Sequence, residues 1–394
     1  DGSVRPIPGV LPLVDALEAS GVVVAPGNQP EAALVTTQRV LGVGDLRTLV
    51  RALRHEAPWP TSVEAPVRAE PVEGPDLSDV RGQRVARFAL EVAAAGAHHI
   101  LLVGPPGSGK SMLARRLPGI LPDLDPVDAL EATRIRSAAG EDLPPGALDL
   151  RPPWRAPHHG SSAAALVGGG SRTMRPGEVS LAHGGVLFLD ELGEFAPTVL
   201  DMLRQPLEDG TVRVSRAGGS AEYPARVLLV AAMNPCPCGG SAAPGGCRCL
   251  AVVRARYVRR VSGPLLDRFD LRVGVHRPDP SDLLSGGAGE STSEVASRIR
   301  QARQRATDRG VRANSELSSR ALEAAAPLQP AAVRRLEAEL HAGRLSARGL
   351  QRVRSVALTM SDLSGRDVPL GSDLVDTALG LRIDPFRSEG FDVR

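Results

Sequence analysis

Lysine is almost absent from this 394-residue sequence: of 47 Lys and Arg residues, Lys110 is the one lysine. A coding bias toward Arg, Ala, Gly and Pro accounts for the general replacement and leaves the exception to its position. Arginine is a broad planar fork and lysine a compact charge on a flexible stem, so the two do not interchange in a tight anion cradle. Cysteine is scarce too. All four lie between Cys236 and Cys249, which is one local cluster and not a disulfide framework. A strong charge of either sign is missing, and a net +2 gives no general attraction to nucleic acid, so any such contact has to be local. Apolar runs such as VLLVAAM at 227–233 have the length of strands and are far too short to span a bilayer, and nothing at the start resembles a signal peptide. The chain opens on Asp1, not Met, as a fragment or trimmed product would. These absences lead to the expectation of a soluble cytoplasmic protein without a membrane partner.

What is present reads as α/β. The length suits two or three domains, and 42% hydrophobic residues is ordinary for globular folds. Residues 1–55 carry β-like runs (GVVVAP, AALVTT) and a helix-like tail, DLRTLVRALR. Residues 56–76 hold Pro58, Pro60, Pro66, Pro71 and Pro75, a density that no helix survives, so an extended linker is expected. From 77 to 276, strand-like runs alternate with helical segments, the pattern of a parallel sheet covered by helices. HHILLV (98–103), GVLFLD (185–190) and RVLLVAAM (226–233) are the clearest strands, each continuously apolar as in strands buried on both faces. Residues 279–292 read as a Gly- and Ser-rich loop, and 293–382 as helical, interrupted at PLQP and SARG.

GPPGSGKS at 104–111 fits the phosphate-loop pattern, with an apolar strand before it and a helix (SMLARRL) after it. Gly104, Pro105, Pro106, Gly107, Ser108 and Gly109 would curl backbone N–H groups around a polyphosphate at a helix N-terminus. Lys110 would reach the outer phosphates of ATP, and Ser111 would bind Mg2+. GVLFLDE at 185–191 ends a strand in two carboxylates: Asp190 is expected in the Mg2+ shell, and Glu191 beside the attacking water. Asn234, one of three Asn in the chain, ends a third strand and can orient that water.

Phosphate loop, DE strand, Asn strand and GPLLDRFDLRV (263–273), in that order, resemble an AAA+ ATPase. RAPHHGSSAAALVGGG (155–170), RPGEVSLAHGGVLFLDELGEF (175–195), AAMNPCPCG (231–239) and LSARGLQRVRSVALTMSDLSG (345–365) resemble more particularly the magnesium-chelatase-like ComM/YifB family, from about 77 to 382. Gly184 stands where that family usually has Asn, and Gly193 where it usually has Pro. The first 55 residues resemble the end of its Lon-protease-like domain. The resemblance implies an α/β fold: an AAA+ P-loop NTPase domain with a helical lid, preceded by part of a Lon-protease-like (ribosomal S5 domain 2-like) unit. The expected boundaries are 1–55, linker 56–76, core 77–276 and lid 277–386.

The resemblance also assigns roles. Arg268, in LLDRFD, matches the arginine finger that completes a neighbouring subunit's site, which implies a ring, most often a homo-hexamer. Arg348, in SARG, matches the lid arginine that touches the γ-phosphate from the chain's own lid. Segment 151–178 is similar to the family's insertion into helix 2, and 211–227 reads as a β-hairpin with a GG turn. In ring ATPases of this clade such loops point into the pore. Arg172, Arg175, Arg213 and Arg216 could track a DNA backbone there, or be exposed arginines without a ligand. Adjacent His158 and His159 on an extended chain would point opposite ways, which suits packing or loop ordering better than joint metal ligation. Cys236, Cys238, Cys247 and Cys249 form C-x-C, eight residues, C-x-C: either a tetrahedral zinc site or four reduced thiols in a surface loop.

By this resemblance the chain would be an ATP-hydrolysing motor on DNA, a helicase or branch-migration enzyme of recombination during natural transformation. The competing implication is a magnesium-chelatase-type motor that remodels a protein partner, a family without the Lon-like unit. Lon-type proteolysis needs a Ser–Lys dyad, and the only lysine belongs to the phosphate loop, so proteolysis is excluded. Lys110→Arg is expected to remove most ATP hydrolysis although it preserves the charge; near-wild-type turnover at saturating ATP would refute the argument built on the lone lysine.

Overall fold

The computed structural model describes residues 2–35, 38–60, 67–68, 74–144, 146–169, 174–216, 219–239, 247–284, 287, 289–366 and 368–382, with 67, 68 and 216 described by backbone alone. Five parallel strands form the central sheet, in the order Leu271–Gly274, Ile100–Val103, Leu228–Met233, Val186–Leu189, Trp154–Arg155. The three apolar runs picked out in the sequence are its three inner strands. Successive side chains on a strand point to opposite faces, and the core divides accordingly. Ile100, Leu102, Val186, Phe188, Val230 and Ala232 join one cluster; Leu101, Val103, Leu187, Leu189, Leu229 and Ala231 join the other.

The first face is covered by the helix Arg84–Gly96, whose Ala89, Ala93, Ala94 and Ala95 are buried. Small side chains let it lie between the sheet and the helices Thr292–Asp308 and Ala347–Ser364, which share the same apolar cluster. The C-terminal helices therefore share a core with the sheet. A polar chain reinforces this union: Arg309 pairs with Asp362 at 2.5 Å, Asn314 donates to Asp362 and Thr359, and Thr359 Oγ1 lies 2.8 Å from His98 Nε2. Within the stretch read as a loop, Pro280–Leu284 forms a short helix, for which proline at the start is suited.

The opposite face carries Glu178–Leu181, Pro197–Asp201 and the hairpin Thr211–Arg216 with Gly219–Pro224. The hairpin is as expected, with its turn residues 217–218 outside the described ones. Segment 151–178 differs from expectation, because its start is a strand of the sheet. Trp154–Arg155 pairs with Val186 and Leu187, Trp154 stacks on Phe188 at 5.2 Å, and Gly185, lacking a Cβ, admits the Pro153 carbonyl. Only the chain beyond Arg155 departs from the sheet.

In the N-terminal unit Gly21–Val24 pairs in parallel with Arg39–Gly42, and Asp45 caps the helix Leu46–Leu53 by accepting from the Thr48 N–H at 2.8 Å. The described part of AALVTT, residues 32–35, is not a strand. Pro30 near its start favours the helical turn Gln29–Ala32, Leu34 and Val35 are buried beyond it, and 36–37 lie outside the described residues. This unit docks on the helix Pro126–Ala139 through Arg134–Asp15 at 2.9 Å and Ser137–Glu31 at 2.5 Å. Residues 61–66 and 69–73 of the proline-rich linker lie outside the described ones; between them Val67–Arg68 pairs in parallel with Ala147–Leu148. Among the described residues no helix is long and apolar enough to cross a membrane.

Burial pushes His98 down to about 4, against the partial pull of Asp270. A group whose folded pKa lies below its unfolded value stabilises fully above the unfolded pKa and loses that contribution as pH falls toward the folded one. His98 should therefore cost roughly 3 kcal/mol of stability as pH drops from about 6.5 to about 4. Denaturant unfolding near pH 7 and near pH 4 should show a smaller pH dependence for His98→Gln than for the wild type; equal slopes would refute the assignment.

Candidate active site

The C-terminal ends of the inner strands bring the sequence candidates together. Ile100–Val103 runs into the loop at 104–109, where Gly104 has no room for a Cβ against the Val275 carbonyl. Gly107 and Gly109 take φ of 73° and 90°, the left-handed region that glycine enters freely, and the helix begins at Lys110. Lys110 is 8% exposed; its Nζ donates to the Gly104 carbonyl at 2.8 Å, the Pro105 carbonyl at 2.9 Å and Asn234 Oδ1 at 3.2 Å. Burial holds its pKa below the usual lysine range, opposed by Asp190 and Glu191. Asn234 follows directly on the strand Leu228–Met233.

Ser111 Oγ donates to Asp190 Oδ2 at 2.7 Å, so the two expected Mg2+ ligands touch. The loop also fits a bound anion: Ser108 Oγ is buried without a hydrogen-bond partner, inside the turn whose amides would face phosphate. Glu191 takes φ 52°, a strained backbone for a residue with a Cβ, and its side chain is half exposed. Its carboxylate lies 3.2 Å from His159 Nδ1.

His159, read from the sequence as a packing or loop-ordering residue, stands beside Glu191. The rings of His158 and His159 do not point apart; they lie 4.0 Å from each other, tilted by 34°. The chain turns here, with His158 Nδ1 accepting from the Gly160 N–H, so the alternation of an extended strand does not apply. Gln83 was missed. Its amide reaches the Ser108 carbonyl at 2.9 Å and the His276 carbonyl, bracing the phosphate loop from a distant helix start, which no local motif signals.

Arg268 and Arg348 lie elsewhere. Arg268, 7% exposed, pairs with Glu208, and Arg348 NH2 stands 3.7 Å from the same carboxylate. Both line a cleft of about 960 Å³ whose walls include no residue of 104–111. The ion partner of Arg348 in this structure is Glu208. Glu208, on the short helix Pro206–Asp209, carries no sequence signal for this bridging position.

The hairpin Thr211–Arg216/Gly219–Pro224 packs against the ribbon of Gly168–Gly169 and Arg175–Pro176, Tyr223 OH donating to the Met174 carbonyl at 3.1 Å. Arg175 and Arg213 are exposed, and Arg213 is held by Glu222 across the hairpin at 2.6 Å. Arg172 lies outside the described residues, and Arg216 is described by backbone alone. The sulfurs of Cys236, Cys238, Cys247 and Cys249 gather within 4.8 Å of one another without a disulfide. Burial, with hydrogen bonds to Cys238 and Cys247, pushes the Cys236 thiol up to about 12.

Comparison with known families matches residues 76–283 to "Magnesium chelatase, subunit ChlI" and 289–382 to "Magnesium chelatase, subunit ChlI C-terminal". An uncharacterized protein of Mycobacterium tuberculosis is 49% identical over 97% of this chain and 76% of its own length. Competence protein ComM of Haemophilus influenzae is 39% identical over 97% of this chain and 75% of its own length. The magnesium-chelatase 38 kDa subunit of Cereibacter sphaeroides is 28% identical over 40% of this chain and 52% of its own length.

Glu191→Gln keeps the shape and leaves the Ser111–Asp190 pair intact. It is expected to retain ATP binding and to lower turnover on the order of a hundredfold or more. Equilibrium binding and steady-state hydrolysis separate the two, and a variant that no longer binds ATP would make Glu191 a structural residue.

Proposed function

This chain belongs to the magnesium-chelatase-like AAA+ ATPases that include ComM and YifB, and we propose that it is a ring motor acting on DNA in the cytoplasm. Hydrolysis rests on one observation: Lys110 reaches Asn234 while Ser111 touches Asp190, so three strand ends and the phosphate loop close on one point. Bound there, Mg2+-ATP supplies the phosphoryl group and its bridging metal charge. In this reading Ser111 and Asp190 present oxygens to Mg2+, Lys110 offers a compact charge to the outer phosphates, Asn234 orients water, and Glu191 accepts its proton. The contact with His159 Nδ1 at 3.2 Å would help to orient the Glu191 carboxylate.

In this reading the motor is the 77–276 core with a lid over 277–386, preceded by the 1–55 unit and the 56–76 linker. Arg268 and Arg348 share Glu208 on a cleft away from their own phosphate loop, which supports both acting on a neighbour's nucleotide in a homo-hexameric ring. The two packed ribbons carry the exposed Arg175 and Arg213, which supports a sequence-independent grip on DNA to which Arg172 and Arg216 are proposed to contribute. Similarity to a competence protein favours a helicase or branch-migration role in recombination during natural transformation. The four thiols are read as a zinc site. A second reading, a chelatase-type motor that remodels a protein, is favoured by the Arg213–Glu222 pair, which neutralises one of these arginines.

ATP hydrolysis measured with and without single-stranded, duplex and forked DNA tests the proposal. DNA should stimulate turnover, and Arg213→Ala with Arg216→Ala should weaken binding equally for all sequences while sparing basal hydrolysis. The salt dependence should flatten by a slope of about one for each phosphate that the double variant no longer neutralises. Hexamers that DNA neither binds nor stimulates at moderate salt would favour protein remodelling.

A further inference from the structure

We infer that the four cysteines bind one zinc ion that clamps the Asn234 loop onto the phosphate loop, so that metal occupancy sets the rate of ATP hydrolysis. The inference rests on the nucleotide-site reading above. Sulfur–sulfur distances are 3.3 Å for Cys236–Cys238, 3.4 Å for Cys236–Cys247 and 3.7 Å for Cys238–Cys247. A disulfide would require about 2.05 Å. Four thiolates around zinc at about 2.3 Å stand about 3.8 Å apart along the edges of the tetrahedron, so three of the sulfurs are already near their ligating spacing and Cys249 lies within 4.8 Å of each. An all-sulfur donor set selects zinc over the hard cation that serves the phosphates.

The position of the cluster gives it a consequence. Cys236 is 2% exposed and stands two residues after Asn234, which holds Lys110. Gly239, whose N–H donates to the Cys236 carbonyl, takes φ 69° and lies so close to the phosphate loop that a Cβ would stand 2.5 Å from Pro106 Cγ. On the far side, the segment runs from Cys249 into the helix Ala251–Val258. Tyr257 of that helix is buried over Gly193, just beyond Glu191, where a Cβ would meet its ring at 2.5 Å; Arg260 donates to the Gly193 carbonyl at 2.9 Å. The first cysteine pair thus follows Asn234, Gly239 beside it lies against Pro106, and the helix after the second pair covers the turn after Glu191. Closing it with a metal joins three parts of the hydrolytic site that separate strands supply. A misplacement of about 1 Å in such a site can cost on the order of a hundredfold in rate.

The test uses the whole chain, purified without chelator. Zinc measured by elemental analysis should approach one ion per chain, and cobalt in its place should give thiolate-to-metal charge-transfer absorbance. Cys238→Ser with Cys249→Ser should lose the metal and lower ATP turnover at least about tenfold. Gly239→Ala keeps all four sulfurs but pushes the loop off Pro106; it should retain zinc while turnover falls severalfold, which holds even if the cysteine variant fails to fold. A chain that neither carries zinc nor takes up zinc or cobalt overturns the metal site. Zinc present, with Gly239→Ala and the chelated protein both at wild-type turnover, overturns the clamp alone. A zinc-loaded chain that hydrolyses no ATP refutes the nucleotide reading and the clamp with it, and leaves the metal site standing.

Discussion

The ammonium of Lys110 is the point on which the other parts of the site converge. A compact charge, 8% exposed, bonds two carbonyls of its own loop and the side chain that ends the neighbouring strand. Those bonds form only if Ile100–Val103 and Leu228–Met233 lie side by side in register, and that in turn requires residues that can be buried on both faces. The sheet therefore exists in the form the loop needs, and the loop is held in the form an anion needs. Desolvating an ammonium is costly, and three oxygens together with the nearby Asp190 and Glu191 offset the cost.

Elsewhere the positive charge is carried by arginine, and the structure uses the fork. Arg352 of the helix Ala347–Ser364 reaches both Asp270 and the Arg268 carbonyl, so it joins the C-terminal helices to the end of the sheet beside Arg268. Arg382 adds bonds to the carbonyls of Phe269 and Asp270. Planar, multidentate donors suit this task of tying backbone and carboxylate together, which a single ammonium does less well. Arg268 is thereby set in a braced frame, with Glu208 as the acid it shares with Arg348.

Coupling between the cysteine segment and the phosphate loop depends on small residues at close approach. Gly239 against Pro106 and Gly193 beneath Tyr257 both sit where any side chain would force the neighbouring elements apart. Gly193 leaves room for an aromatic ring to cover the turn that follows the two carboxylates.

The sequence by itself determined the inner strands, the phosphate loop and the two carboxylates, because each is specified by neighbours in the chain: an apolar run, glycines at φ above zero, a polar residue at a strand end. It was misleading where local preference competes with long-range packing. AALVTT has strand composition but yields to the turn seeded by Pro30, and 154–155 joins the sheet although two residues are too few to show a period. Only the tertiary structure decided that His159 meets Glu191, that Arg348 shares Glu208 with Arg268, that four sulfurs meet, and that Gly239 lies against Pro106. In each case the partner lies in a different element, and spacing along the chain carries no information about which elements the shared core brings together.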